Sequence, residues 1–309
     1  MRILFLGAGA TGGYFGGCLA KAGRPVTFLV RTQRAAVLAR DGLVVESPKG
    51  NFTTPVTTVV QDQITAPYDA VVVSCKAYDL ATAIAAIAPA VGPETLILPL
   101  LNGMSHLEAL DTAFSKERVL GGTCHISVTL TPDGIIRHMS PFDALTLGPR
   151  VSSQDKRCKN LHSELALGGF ETRYSDAVIE AMWEKWVLLA TLAGMTCLMR
   201  ANIGEIVAAS GGAAQISAML DECCAVASAA GHAPRDAAMR STRTVLTDPA
   251  SSMSASMRRD LERGSRIEAE HIIGDLVTRG AALGVATPLL AAAWTHVQAY
   301  QSRLSSTGA

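Results

Sequence analysis

Ile3-Leu4-Phe5-Leu6-Gly7-Ala8-Gly9-Ala10-Thr11-Gly12-Gly13, "ILFLGAGATGG", opens the sequence and decides how the rest is read. Four apolar residues suited to a buried strand run directly into glycines at positions 7, 9 and 12, and a helical pattern follows from Tyr14 to Ala22. Gly-x-Gly-x-x-Gly between a strand and a helix is the turn that receives a dinucleotide pyrophosphate. Gly7 permits the tight turn, Gly9 leaves the backbone bare where phosphates approach, and Gly12 lets the helix close on the strand. The N–H groups of the first turn, from Ala10, Thr11 and Gly12, then face the anion together with the positive end of the helix dipole.

Further along, β-type runs recur at Val26 to Val30, Val71 to Ser74 and Leu96 to Leu100, separated by Ala-rich helical stretches such as Ala77 to Ala88. This alternation predicts an α/β fold with a parallel, doubly wound sheet of Rossmann type in residues 1–175. From Ala177 onward the β signal disappears, so residues 176–309 are expected to form an all-α domain. Between Leu120 and Leu147 a Pro-Asp-Gly turn separates two β-type runs, which predicts a hairpin added to the first domain's sheet. The second β run ends in Arg31, with Arg34 behind it and no acid between. An acid there would hold the ribose of NAD, whereas arginine pairs with a 2′-phosphate, so the expected cofactor is NADP. Solvated loop charges are the plainer reading of both arginines. Lys76, after the third run, stands where such sheets bind ligands, as a phosphate or ribose contact or as a surface lysine.

Composition narrows the possibilities. Lys+Arg and Asp+Glu both number 27, so no net field attracts nucleic acid or an anionic membrane. The seven cysteines include a vicinal pair, Cys223 and Cys224, but no Cys-x-x-Cys, which speaks for a reducing compartment and against zinc. No signal peptide pattern follows Met1, and the apolar run from Val187 to Met199 is too short to cross a bilayer, so a cytoplasmic protein is expected.

Trp183-Glu184-Lys185-Trp186 begins that apolar stretch. On a helical wheel Ile179, Met182, Trp183, Trp186 and Ala190 share one face, and Lys185, Leu189 and Ala193 form the neighbouring stripe. The lysine thus sits at the border of the core. It could snorkel, its stem covering the tryptophans and its ammonium in water, or it could donate a proton to a reacting carbonyl oxygen. No Ser/His/Asp order, cysteine nucleophile motif or carboxylate pair competes with it.

"GAGATGG", Arg31, "CKAYD" around Lys76, "LLNGM" around Asn102, "WEKW" around Lys185 and "SMRRDLERGSRIE" from Ser256 to Glu268 together resemble the ketopantoate reductase (2-dehydropantoate 2-reductase) family, across nearly the whole chain and in family order. The resemblance implies reduction of a small 2-oxo acid by NADPH, with ketopantoate reduced to pantoate in pantothenate biosynthesis. It places Gly7, Gly9, Ala10, Thr11 and Gly12 at the pyrophosphate, and Arg31 and Lys76 at the adenosine end. Asn102 would orient nicotinamide and substrate. Lys185 would be the general acid, Ser256 would bind the substrate carboxylate, and Glu268 would bind substrate and support proton delivery. Ser256 and Glu268 would be about 18 Å apart on one straight helix, so a break near Gly264 is expected. Without the resemblance, Asn102 reads as a turn residue, Ser256 as a cap and Glu268 as a solvated acid. The family carries asparagines where this chain has Leu189 and Ala193, which leaves open a more apolar oxo acid or an imine, or a non-catalytic NADP-binding regulator. Asn202 aligns with another family asparagine only across a one-residue gap. A homodimer built on the Ala-rich helices is a further expectation.

Overall fold

Seven strands form before residue 100: β1 (Ile3–Leu6), β2 (Val26–Leu29), β3 (Leu43–Glu46), β4 (Phe52–Thr54), β5 (Thr57–Val59), β6 (Ala70–Val73) and β7 (Leu96–Pro99). Five of them make an all-parallel sheet in the order β5-β2-β1-β6-β7, with Ile3 opposite Val26 on one side and Ala70 on the other. The chain moves outward from β1 through β2 to β5, then returns to β6 and β7 on the opposite side. The winding therefore reverses between β1 and β6, which is where open α/β sheets bind ligands. β6 is buried along its whole length, as expected of a strand covered on both faces. The computed structural model describes residues 1–306.

Helix α1 (Ala10–Lys21) follows β1, α2 (Thr32–Asp41) follows β2, and α3 (Leu80–Ile87) and α4 (Ser105–Phe114) flank β7. Phe5, Phe15 and Phe28 are fully buried in one cluster that extends to Leu43, Ile136, Leu145 and Leu161, so α1 packs against strands of two different sheets. Each such side chain contributes about 1.5–3 kcal/mol on burial. The second sheet contains β3 and β4 joined to β8 (Gly121–Leu130), β9 (Ile136–Gly148) and β10 (Thr172–Tyr174), with α5 (Asp155–Ala166) before β10. On its inner face Tyr14 of α1 donates its hydroxyl to Asp143 Oδ2 at 2.7 Å, Lys49 ion-pairs with the same carboxylate, and the Tyr14 ring lies 4.7 Å from His138. Burial, followed by this bond to Asp143, pushes the Tyr14 hydroxyl well above the usual tyrosine range.

The expected hairpin exists, as β8 and β9 with Gly121 opposite Gly148, but it does not extend the parallel sheet. Val119 makes a single bridge to Ile97 of β7, through Ile97 N to Arg118 O at 2.8 Å and Leu120 N to Ile97 O at 2.9 Å. Two residues on, Pro99 has no N–H to continue a ladder, and the hairpin leaves to pair with β3, Val45 opposite Ile136.

From Val178 every element among the described residues is helical: α6 (Val178–Met199), α7 (Ile203–Ala208), α8 (Gly212–Ala229), α9 (Asp236–Leu246), α10 (Ser256–Glu262), a π-helical turn at Glu270–Gly274, α11 (Asp275–Ala282) and α12 (Pro288–Ser306). The chain resolves into two compact units, Met1–Leu101 with His106–Ile179, and Asn102–Ser105 with the chain from Glu180 onward. No helix among the described residues is long and apolar enough to cross a membrane, and no described cluster of three or more His, Cys, Asp or Glu could hold a metal ion.

Candidate functional site

In the first unit, strand β1 ends at Gly7, whose φ of +82° suits glycine and whose N–H bonds to Leu29 O at 2.8 Å, tying the turn to the end of β2. Gly9 caps α1 with extended ψ, and Gly13 N bonds back to Gly9 O at 2.8 Å. The N–H groups of Ala10, Thr11 and Gly12 fall in the first turn, where a helix supplies no acceptor of its own. A Cβ on Gly9 would meet nothing within 4 Å, whereas one on Gly12 would lie 2.3 Å from Ser74 Oγ and 3.2 Å from Gly7 O. One glycine keeps space open and the other closes the helix on the ends of β1 and β6. A bare backbone, open space and a helix N-terminus at the winding reversal fit a dinucleotide pyrophosphate.

Arg31 follows β2 as the exposed N-cap of α2, free to meet a ligand at the end of that strand. Arg34 behaves differently. It is half-buried, donating to Ala8 O at 3.3 Å and Gly134 O at 3.1 Å, and burial pulls its guanidinium below the usual arginine range. The sequence reading of a solvated charge is therefore corrected for Arg34; its acceptor at Gly134 lies far along the chain, beyond the reach of local patterning. Lys76 is half-buried after β6, at the N-cap of the short turn Ala77–Asp79.

The second unit holds Asn102, Lys185, Ser256 and Glu268. Lys185 is 8% exposed on α6, between the buried Trp183 and Trp186, whose ring centroids are 4.9 Å apart. Three contacts fix this turn of helix. Trp186 Nε1 donates to Ile272 O at 2.9 Å, Trp183 stacks on His232 at 5.2 Å, and Glu184 takes both Arg235 Nε and Nη2 at 2.7 Å. Ile272 N bonds in turn to Glu268 O at 3.1 Å, and Glu268 is itself 8% exposed. A Cβ on Gly103 would stand 2.3 Å from His271 O, so the Asn102–Gly103 turn abuts the same π-helical turn. The segments bearing Lys185, Glu268 and Asn102 thus converge on residues 268–272.

Ser256 enters elsewhere. It is exposed at the start of α10, whose neighbouring Ala255 N bonds to Thr196 Oγ1 at 3.4 Å, about 16 Å along α6 from Lys185. The helix break falls where expected, with α10 ending before Gly264 at φ +69°. Leu189 is half-buried and Ala193 buried. Asn202 is committed to a capping box, accepting from Glu205 N at 2.9 Å while Glu205 Oε2 accepts from Asn202 N at 2.7 Å. The π-helical turn that gathers the segments escaped the sequence reading, because its irregularity leaves no period to detect.

A family model described as ketopantoate reductase PanE/ApbA matches residues 3–151, and one for the C-terminal part of the same family matches residues 177–301. The chain belongs to the ketopantoate reductase family. An oxidoreductase of Bacillus subtilis, named as uncharacterised, is 35% identical over 98% of this chain and 99% of its own. The 2-dehydropantoate 2-reductase of Halobacterium salinarum is 30% identical over 94% of this chain and 95% of its own. A crystal structure of a PanE/ApbA family ketopantoate reductase from Ralstonia eutropha superposes with a TM-score of 0.88 at 28% identity, covering 99% of this chain and all of that one. As a member of the family the protein is an oxidoreductase with a nicotinamide dinucleotide cofactor, NADPH in this family.

Proposed function

We infer that this ketopantoate reductase family member reduces the carbonyl of a 2-oxo acid to a 2-hydroxy acid, with ketopantoate to pantoate in pantothenate biosynthesis as the first reaction to test. Residues 1–175 bind NADPH and residues 176–309 handle the substrate. When bound, NADPH supplies the hydride to the carbonyl carbon. The glycine turn and the α1 N-terminus hold its pyrophosphate, Arg31 meets the 2′-phosphate, and Lys76 reaches the adenosine end. Asn102 can donate and accept, and so can orient nicotinamide and substrate. Lys185 gives its proton to the carbonyl oxygen as the hydride arrives, and Glu268 supports that transfer. Ser256, the expected contact of the substrate carboxylate, starts α10 beside Thr196 and would have to approach the lysine to serve it.

The observation that carries this reading is the burial of Lys185 on a turn of helix fixed by Trp186 to the segment that bears Glu268. A lysine held this way has its position set by packing, as a proton donor requires. Lys185→Ala should lower kcat about 10²–10⁴-fold while leaving NADPH affinity nearly intact. Turnover close to wild type would leave the lysine only the task of covering the tryptophan rings.

A more apolar oxo acid is favoured by one specific observation: the α6 residues one turn from Lys185 in either direction are Ala181, Met182, Leu188 and Leu189, none able to hydrogen-bond a substrate hydroxyl. Comparing kcat/KM for ketopantoate and for trimethylpyruvate, which lacks only the hydroxyl, decides between the two. A cytoplasmic homodimer completes the proposal, and light scattering of the purified protein tests the dimer.

A further inference from the structure

Arg34 sits three residues after Arg31, yet its guanidinium reaches back to two unconnected parts of the first unit. Its Nη2 donates to Ala8 O in the glycine turn and to Gly134 O at the tip of the β8–β9 hairpin, and its Nε is buried. That tip is closed by its own bonds, Thr131 N to Ile135 O and Gly134 N to Thr131 O, each at 2.9 Å, and Ile135 N to Thr131 Oγ1 at 3.0 Å. Gly134 has φ +83°, and a Cβ there would lie 2.5 Å from Arg34 Nη1. The guanidinium is thus seated against bare backbone at its outer end and on the glycine turn at its inner end.

The Ala8–Gly9 peptide is trans, so the Ala8 C=O and the Gly9 N–H point to opposite sides of one plane. Holding the Ala8 oxygen toward Arg34 turns the Gly9 N–H the other way. The geometry points to Arg34 as a positioning residue that aims the Gly9 N–H at the dinucleotide pyrophosphate, with the hairpin tip at Gly134 as its second anchor. The distinction from Arg31 is chemical. A pyrophosphate is common to NADPH and NADH, whereas a 2′-phosphate belongs to NADPH alone, so the two arginines carry separable effects. The inference needs only dinucleotide binding and is independent of which carbonyl is reduced.

The test is equilibrium binding of NADPH, NADH and 2′-AMP, followed by titration calorimetry on wild type, Arg34→Gln and Gly134→Ala. Arg34→Gln should weaken NADPH and NADH by the same factor, roughly tenfold for a lost charge-assisted bond, and leave 2′-AMP within about twofold. Gly134→Ala, which displaces the guanidinium from its outer anchor, should weaken both dinucleotides in the same direction with 2′-AMP again unaffected. Loss confined to NADPH, equal loss of 2′-AMP, or unchanged dinucleotide binding would each overturn the inference. Should Arg34→Gln fail to fold, the hairpin variant Gly134→Ala decides alone by the same criteria.

Discussion

Arg31 and Arg34 show how neighbouring residues of one type take different work from their surroundings. Arg31 is exposed at the end of β2, and its side chain makes no capping hydrogen bond to α2. Replacing it with alanine should therefore weaken NADPH much more than NADH, by about tenfold or more for one arginine–phosphate pair. Equal loss for both cofactors, measured by fluorescence titration, would remove its selectivity. The proposed role of Arg31 rests on local order alone, a basic residue after the second strand with no acid nearby, to which the structure adds its exposure. The role of Arg34 could not be read this way, because it is defined by Gly134 at the tip of a hairpin that local pattern does not place beside it. Lys185 lies between these cases. Its place at the border of the core was legible from helical spacing, but its burial, and the bond from Trp186 to Ile272 that fixes its turn of helix, depend on a distant segment.

At the level of elements, four strands of the parallel sheet, β1, β2, β6 and β7, were legible as short, mainly apolar runs bounded by turn residues, whereas β5 reads Thr-Thr-Val and left no such signal. The second sheet was not legible. Its strands β4 and β10 are only three residues long and mostly polar, and β3 pairs with the start of β9, a partner that no local pattern names. The hairpin was visible as a hairpin, yet its sheet was misassigned, because only the structure shows Pro99 ending the ladder on β7. Beside the apolar packing, a buried polar contact also ties this sheet to α1, Tyr14 to Asp143, with Lys49 on the other carboxylate oxygen. Asp143→Ala strands the Tyr14 hydroxyl in the core and should cost about 1–3 kcal/mol, seen as a lower midpoint in urea at unchanged slope. An unchanged midpoint would mean that water replaces the carboxylate.

Over the whole molecule, acid stability has an identifiable contributor. Burial, then Arg200 and Arg303, lower the affinity of His296 for a proton below that of an ordinary histidine. A group depressed in the folded state adds stability above its unfolded pKa of about 6.5 and loses it as pH falls through its folded value. His296→Gln should accordingly flatten the decline in melting temperature below pH 6.5, and a parallel decline in both proteins would assign it to other groups. The division into units carries a different consequence. Residues Asn102–Ser105 group with a partner that begins at Glu180, and the carbonyl of His271 fills the space beside Gly103. During synthesis this tetrapeptide leaves the ribosome long before its partner helices exist. The N-terminal unit must therefore assemble around a segment that is still waiting for its place, and a gene truncated after Ile179 would leave that segment with nowhere to dock.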